Sequence, residues 1–229
     1  IKFKLMIYAL LFVTIATAQN KKDSLFIRFN LKWKNEPLEI NKTYHSKTDS
    51  LQLTTFKFYV SGVRIEFEDS SFFIEKNSFH LVDIEDLNSL RIPIFEKINK
   101  KIIKVTFNIG IDKETSTSGA LSGDLDPTKG MYWAWQSGYI NMKIEGKSSS
   151  CKTRKNDFQF HLGGYLEPYY AMRKIEINTN SNATNDYYIN VDASKLFQTI
   201  DLSKENSVMI PGLKAMKLSD YSKEMFVTK

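Results

Sequence analysis

Near the start of the chain Leu25, Ile27, Phe29, Leu31 and Trp33 alternate with Phe26, Arg28, Asn30 and Lys32. A period of two places alternate side chains on opposite faces, so the run predicts a half-buried β-strand. The same signature recurs along the chain and fixes the class of fold. Between Leu51 and Glu68 there are two alternating runs, Phe56, Phe58, Val60 and then Val63, Ile65, Phe67. Their phase slips across Ser61-Gly62, which predicts a bulge or bend there. Short strands are expected over Phe72 to Ile74 and Phe79 to Ile84, around a turn at Lys76-Asn77. Pro93 limits any central strand between Glu85 and Lys101. Ile103, Val105, Phe107, Ile109 and Ile111 form the longest alternation, with Gly110 as a kink, followed by a loop from Asp112 to Ser118. Further strands fall at Tyr139 to Glu145, with Ile140, Met142 and Ile144 on one face, and at Phe158 to Leu162. Two more begin at Ile175 and Tyr187, and Lys42 to Ser50, with His45, reads as an exposed loop. Pro211-Gly212-Leu213 opens a helical segment with Leu213, Met216 and Tyr221 on one face. About ten short strands at this spacing predict an all-β chain, an antiparallel β-sandwich with one or two short helices.

Composition supports that class, since 13% aromatic residues favour strands over helical bundles. The 229 residues suit one large core. Residues 1–18 read as a signal peptide: Lys2 and Lys4, an apolar run from Leu5 to Ile15, then Ala16-Thr17-Ala18 as cleavage site. The run is too short for a stable membrane span. We therefore expect a periplasmic or secreted protein with one domain over residues 19–229. Without Lys2 and Lys4 there remain 30 basic and 26 acidic residues, a net of +4 spread along the chain. No long basic stripe offers a footprint for nucleic acid. Cys151, the single cysteine, cannot form an internal disulfide; a free thiol, an intermolecular bridge or a soft metal ligand remain, and its polar surroundings favour an incidental loop thiol.

The most unusual stretch runs from Gly119 to Gly146. It opens with turn formers Gly123, Asp124, Asp126, Pro127 and Gly130, then packs Met131, Tyr132, Trp133 and Trp135 into five residues. The run Gly-Asp-Leu-Asp-Pro-Thr-Lys-Gly-Met-Tyr-Trp-Ala-Trp-Gln-Ser-Gly-Tyr-Ile-Asn from Gly123, followed by Phe160-His161-Leu162-Gly163-Gly164, closely resembles the MbnP-like family. Phe58-Tyr59-Val60-Ser61 and Phe107-Asn108-Ile109-Gly110-Ile111-Asp112 resemble that family's upstream segments in the same order, so the resemblance covers residues 24–227. It implies an exported bacterial β-sandwich protein associated with copper handling.

A metal site is the leading functional expectation. There are three histidines, His45, His80 and His161. An isolated strand histidine is ordinarily one bonded to backbone; the resemblance raises His161 above that expectation, and His80 less so. Imidazole suits copper or zinc and thioethers suit cuprous copper. Met131 and Met142 lie in the central stretch and Met172 near the His161 strand, though methionine also serves as core filler. Indole nitrogen only donates, so neither Trp133 nor Trp135 ligates a metal as encoded. The resemblance implies oxidation of one of them to kynurenine, whose aryl amine can ligate, by an external di-haem partner of the peroxidase type. The chain itself has no Cys-x-x-Cys-His for haem. Two aromatics packing a sandwich rim is the competing explanation.

Asp112, Asp124 and Asp126 offer oxygen ligands suited to calcium, but their spacing is not that of an EF-hand and turn building accounts for them better than a bound ion. No Gly-x-Ser-x-Gly, phosphate loop or His-Glu-x-x-His occurs, and we expect no enzyme. The expectation is thus an exported copper-binding protein, cuprous copper favoured, held by His161, His80 and a modified tryptophan. The alternative is a structural or interaction module beside an outer-membrane receptor, with the aromatic patch as contact surface.

Overall fold

The computed structural model describes residues 25–46, 49–94, 99–182 and 185–227. The expected signal segment, residues 1–18, lies outside the described residues. Strands β1 (Leu25–Trp33), β2 (Glu36–Pro37), β3 (Thr43–His45), β4 (Ser50–Phe67), β5 (Phe72–Ile74), β6 (Phe79–Asp83), β7 (Arg91–Ile94) and β8 (Ile102–Ile109) precede helix α1 (Lys113–Thr117). After it come β9 (Tyr132–Trp133), β10 (Gly138–Ser148), β11 (Asp157–Gly163), β12 (Arg173–Ser181) and β13 (Asp186–Asp192). Helix α2 (Ser194–Thr199), β14 (Ser207–Val208), α3 (Leu213–Ser222) and β15 (Phe226–Val227) complete the described chain.

These strands form two sheets. In the smaller, β1 lies between β13 on one edge and β2 and β7 on the other, with β15 beyond β13. The larger runs β12-β8-β4-β10-β11-β14, with β3, β5 and β6 also on β4 and β9 on β10. The all-β sandwich is as expected, but the sheets are mixed, because β1 pairs β13 in parallel and β11 pairs β14 in parallel. Strands so distant in sequence carry no hairpin to force an antiparallel arrangement. Among the described residues no helix is long and apolar enough to cross a membrane.

The 18-residue β4 is the spine of the larger sheet. Phe56, Phe58 and Val60 face the core, and Val63, Ile65 and Phe67 face it again after the slip. Gly62 takes φ +60° at the slip, and the pairing with β8 shifts between Ser61 and Arg64, so the expected bulge is present. Between the sheets Phe29 packs edge-to-face on Phe58 and Phe107, and Phe226 closes on both, with centroids 5.6 to 5.9 Å apart.

Four local expectations are corrected. Asp112 to Ser118 is not a loop: Asp112 accepts from Thr115 N at 2.7 Å and caps α1. Ile102 rather than Ile103 enters the core, because the β4–β8 pairing shifts between Glu66 and Phe67 and leaves Ile103 exposed. In α3 the buried residues are Ala215, Leu218, Ser219 and Ser222, while Leu213 is exposed. His45 ends a short strand whose Tyr44 is buried against Trp33, ring centroids 4.5 Å apart.

Candidate metal centre on the outer face

The larger sheet has a second apolar layer on its outer face. Tyr59, Leu81, Ile111, Leu125, Met131, Trp133, Tyr139 and Ile140 form a cluster separate from the inter-sheet core. Ile140 joins it, not the face of Met142 and Ile144, because the β10–β11 pairing shifts between Ile140 and Met142. Two tyrosines pin the glycine- and aspartate-rich loop onto this face. Tyr59 Oη donates to Asp124 O at 3.1 Å; Tyr139 Oη donates to Leu125 O and accepts from Leu121 N, both at 3.1 Å. Burial, then the neighbouring Tyr139, pushes the Tyr59 hydroxyl far above the usual tyrosine range, so it remains a neutral donor.

The loop's carboxylates are spent on local structure. Asp124 accepts from Leu81 N at 3.2 Å and Lys129 Nζ at 2.6 Å, which satisfies the open edge of β6. Asp126 accepts from Thr128 N at 2.8 Å, the bond that chiefly lowers its pKa, and caps a 3-10 turn that Gly130 closes at φ +74°. Asp112 caps α1. Among the described residues no three or more His, Cys, Asp or Glu side chains gather where they could hold a metal ion, so the three calcium candidates are not brought together.

Beyond the turn, Met131 is fully buried in the outer cluster and Trp133 is nearly so. The chain turns back after Trp133, with Gln136 N bonding to Trp133 O and Ser137 at φ +53°, so the two tryptophans do not share one environment. Trp135 is 63% exposed, its ring 5.8 Å from that of Trp133. The inner ring lies on Gly163: a Cβ there would sit 2.7 Å from Trp133 Cζ3 and 2.8 Å from Cη2. Only a residue without a side chain lets the indole approach β11 so closely.

His161 is two residues before Gly163 on the same outward face, since Phe158, Phe160 and Leu162 face the core. It is buried, and its Nε2 lies 2.6 Å from Glu145 Oε1. Thr55 Oγ1 donates to Glu145 Oε2 at 3.2 Å, and Lys143 Nζ stands 3.7 Å from Oε1. The His161 bond, against the opposing effect of burial, holds the Glu145 carboxyl down at about 2. Glu145 is therefore ionised at neutral pH, and a carboxylate only accepts, so Nε2 donates.

His80 is not brought to this place. It pairs with Val60, a core residue, and so leaves the opposite face of the sheet, where its Nε2 meets both oxygens of Glu75 at 2.9 and 3.0 Å. Met142 is likewise on the core side, and His45 is exposed at the far end of β4. Cys151 is buried rather than a surface loop thiol; its Sγ is 3.6 Å from Leu202 O, and burial pushes its pKa up. A cleft of about 700 Å³, lined by Leu31, Leu38, Ile40, Ile84 and Leu90, opens at the edge of the smaller sheet, away from these residues. Sequence reasoning missed Glu145 and Gly163; the second had a signal in the Gly163-Gly164 pair, the first none.

An imidazole backed by a carboxylate and a buried thioether in the adjoining cluster are donor types that copper takes, while the two tryptophans as encoded offer only N–H donors. The MbnP family model matches residues 22–210. Among solved structures the chain is similar to MbnP from Methylosinus trichosporium, with a TM-score of 0.59, 13% identity and 79% of each chain covered. At that identity the likeness is one of fold. None of the curated proteins compared with the chain matches it. The family model spans most of the sequence, inter-sheet core and outer-face loop alike, and the chain belongs to the MbnP family.

Proposed function

We propose that this is an exported, non-enzymatic copper-binding protein that holds cuprous copper on the outer face of its larger sheet for scavenging or delivery. Membership of the MbnP family is consistent with a copper-related role. The observation that carries the site is the seating of Trp133 on Gly163, two residues along β11 from His161 on the same face. His161 supplies the imidazole, and Trp133 or Trp135, once oxidised by an external di-haem partner, the second ligand. Met131 adds a thioether in the adjoining cluster. Bound there, the metal supplies a soft, exchangeable centre suited to carriage. The chain's own groups orient the site: Glu145 aims the imidazole, and Tyr59 and Tyr139 pin the loop that leads into Met131 and the tryptophans.

The exposure of Trp135 favours one other reading, an aromatic contact surface for a protein such as an outer-membrane receptor. Intact mass and bound metal, measured on the chain purified from its own host, separate the two. An oxidised tryptophan with one equivalent of copper supports the site, whereas an unmodified mass with no cuprous uptake rejects it. His161→Ala should abolish copper uptake and leave the circular dichroism spectrum near native. Unchanged uptake removes His161 from the ligand set.

A further inference from the structure

We propose that Glu145 is a positioning residue that locks His161 in the Nε2–H tautomer, leaving Nδ1 as the nitrogen with which His161 takes a metal ion. The ligand part of this rests on the copper reading above; the tautomer part stands on geometry alone. An Nε2···Oε1 distance of 2.6 Å is at the short end for a nitrogen donor and a charged acceptor. A lone pair on Nε2 would set two acceptors against each other at that distance, so a proton sits on Nε2, and in the neutral ring the lone pair is then on Nδ1.

The lock is built from three strands. His161 on β11 is opposite Lys143 on β10, and Glu145 is the next residue on that face of β10. Thr55 on β4 donates to the carboxylate oxygen that His161 does not use, which fixes the plane of the carboxylate. Lys143 stands on the His161 side of the same group. A carboxylate held by neighbours on β4 and β10 cannot follow the ring if it rotates, and the ring is therefore held in one orientation. Such outer partners set both the tautomer and the aim of a ligand histidine. His80, bonded to Glu75 on the opposite face, offers an internal comparison that Glu145 does not touch.

The test is long-range proton–nitrogen NMR of the three histidines in the metal-free protein at neutral pH, for the unaltered chain and for Glu145→Gln and Glu145→Asp. His161 should show protonated Nε2 and unprotonated Nδ1, collapse to a mixture of tautomers in Glu145→Gln and recover in part in Glu145→Asp, while His80 stays unchanged throughout. Cuprous affinity, read by competition with a chromophoric chelator, should fall about 10- to 100-fold in Glu145→Gln. An Nδ1–H tautomer in the unaltered chain overturns the lock. Equal copper affinity in Glu145→Gln overturns its part in binding and leaves the copper reading intact. If the unaltered chain shows the lock but takes up no cuprous ion, the copper reading fails and the Nδ1 ligand role with it.

Discussion

Trp133 and His161 are 28 positions apart in sequence, and a glycine seats the first on the strand that carries the second. Gly163 removes the one Cβ that would hold the indole off β11, so the tryptophan settles on the strand that also presents the imidazole. The hydrogen bond between His161 and Glu145 has a consequence for pH. The Glu145 carboxyl is lowered from the ordinary 4.5 to about 2, so the native state binds its proton less readily than the unfolded chain. Its contribution to stability is thus complete above pH 4.5 and disappears as pH falls through about 2. Denaturant titrations between pH 6 and 2 should show the unaltered chain losing stability over that window faster than Glu145→Gln; parallel curves would contradict the linkage. At this scale the sequence was half legible. His161 and Trp133 could be singled out by type and motif, and the outward direction of His161 followed from alternation. Glu145 could not, because its role depends on which strand lies beside β11 and in what register. The separation of His80 was hidden for the same reason, since both histidines alternate with apolar neighbours and only the strand pairing shows that they leave opposite faces.

Loops on an outer sheet face must bring their own apolar layer, and here the segment from Gly119 to Trp135 does so with Leu125, Met131 and Trp133. Tyr139 links that layer to β10 through Leu121 N and Leu125 O. Tyr139→Phe should leave both groups without a partner and cost about 1–3 kcal/mol. Hydrogen exchange should show the loss as faster exchange over residues 119–130 with the inter-sheet core still protected; uniform acceleration would mean that loop and core open together. Regular elements were the most legible part of the chain, because burial follows a period of two wherever one face is solvated. The failures fall where pairing shifts. Ile103 and Ile140 both continue an alternation on paper, and a one-residue irregularity in the ladder sends each to the other side. The cap at Asp112 was present in the sequence, but Lys113 to Thr117 has no apolar stripe to mark so short a helix.

At the scale of the whole molecule, the inter-sheet core rests on aromatic contacts that no single strand owns. Phe58 is fully buried and touches rings from β1, β4 and β15. Phe58→Ala should cost about 3–5 kcal/mol, read as a shift of the denaturant midpoint at unchanged slope. A loss below about 1 kcal/mol would mean that the two sheets are not packed through this cluster. The sandwich was readable from strand number and spacing, but sheet order was not, because nothing local in Leu25–Trp33 identifies Asp186–Asp192 as its neighbour. That pairing has a kinetic implication. The bond between Arg28 and Asp186 spans 158 residues, and every rung of the β1–β13 ladder is comparably long-range. β1, the first of the described strands, thus has to wait for one of the last before its sheet can close. A chain wired this way has high contact order and should fold slowly, with β1 open to misassociation until β13 arrives.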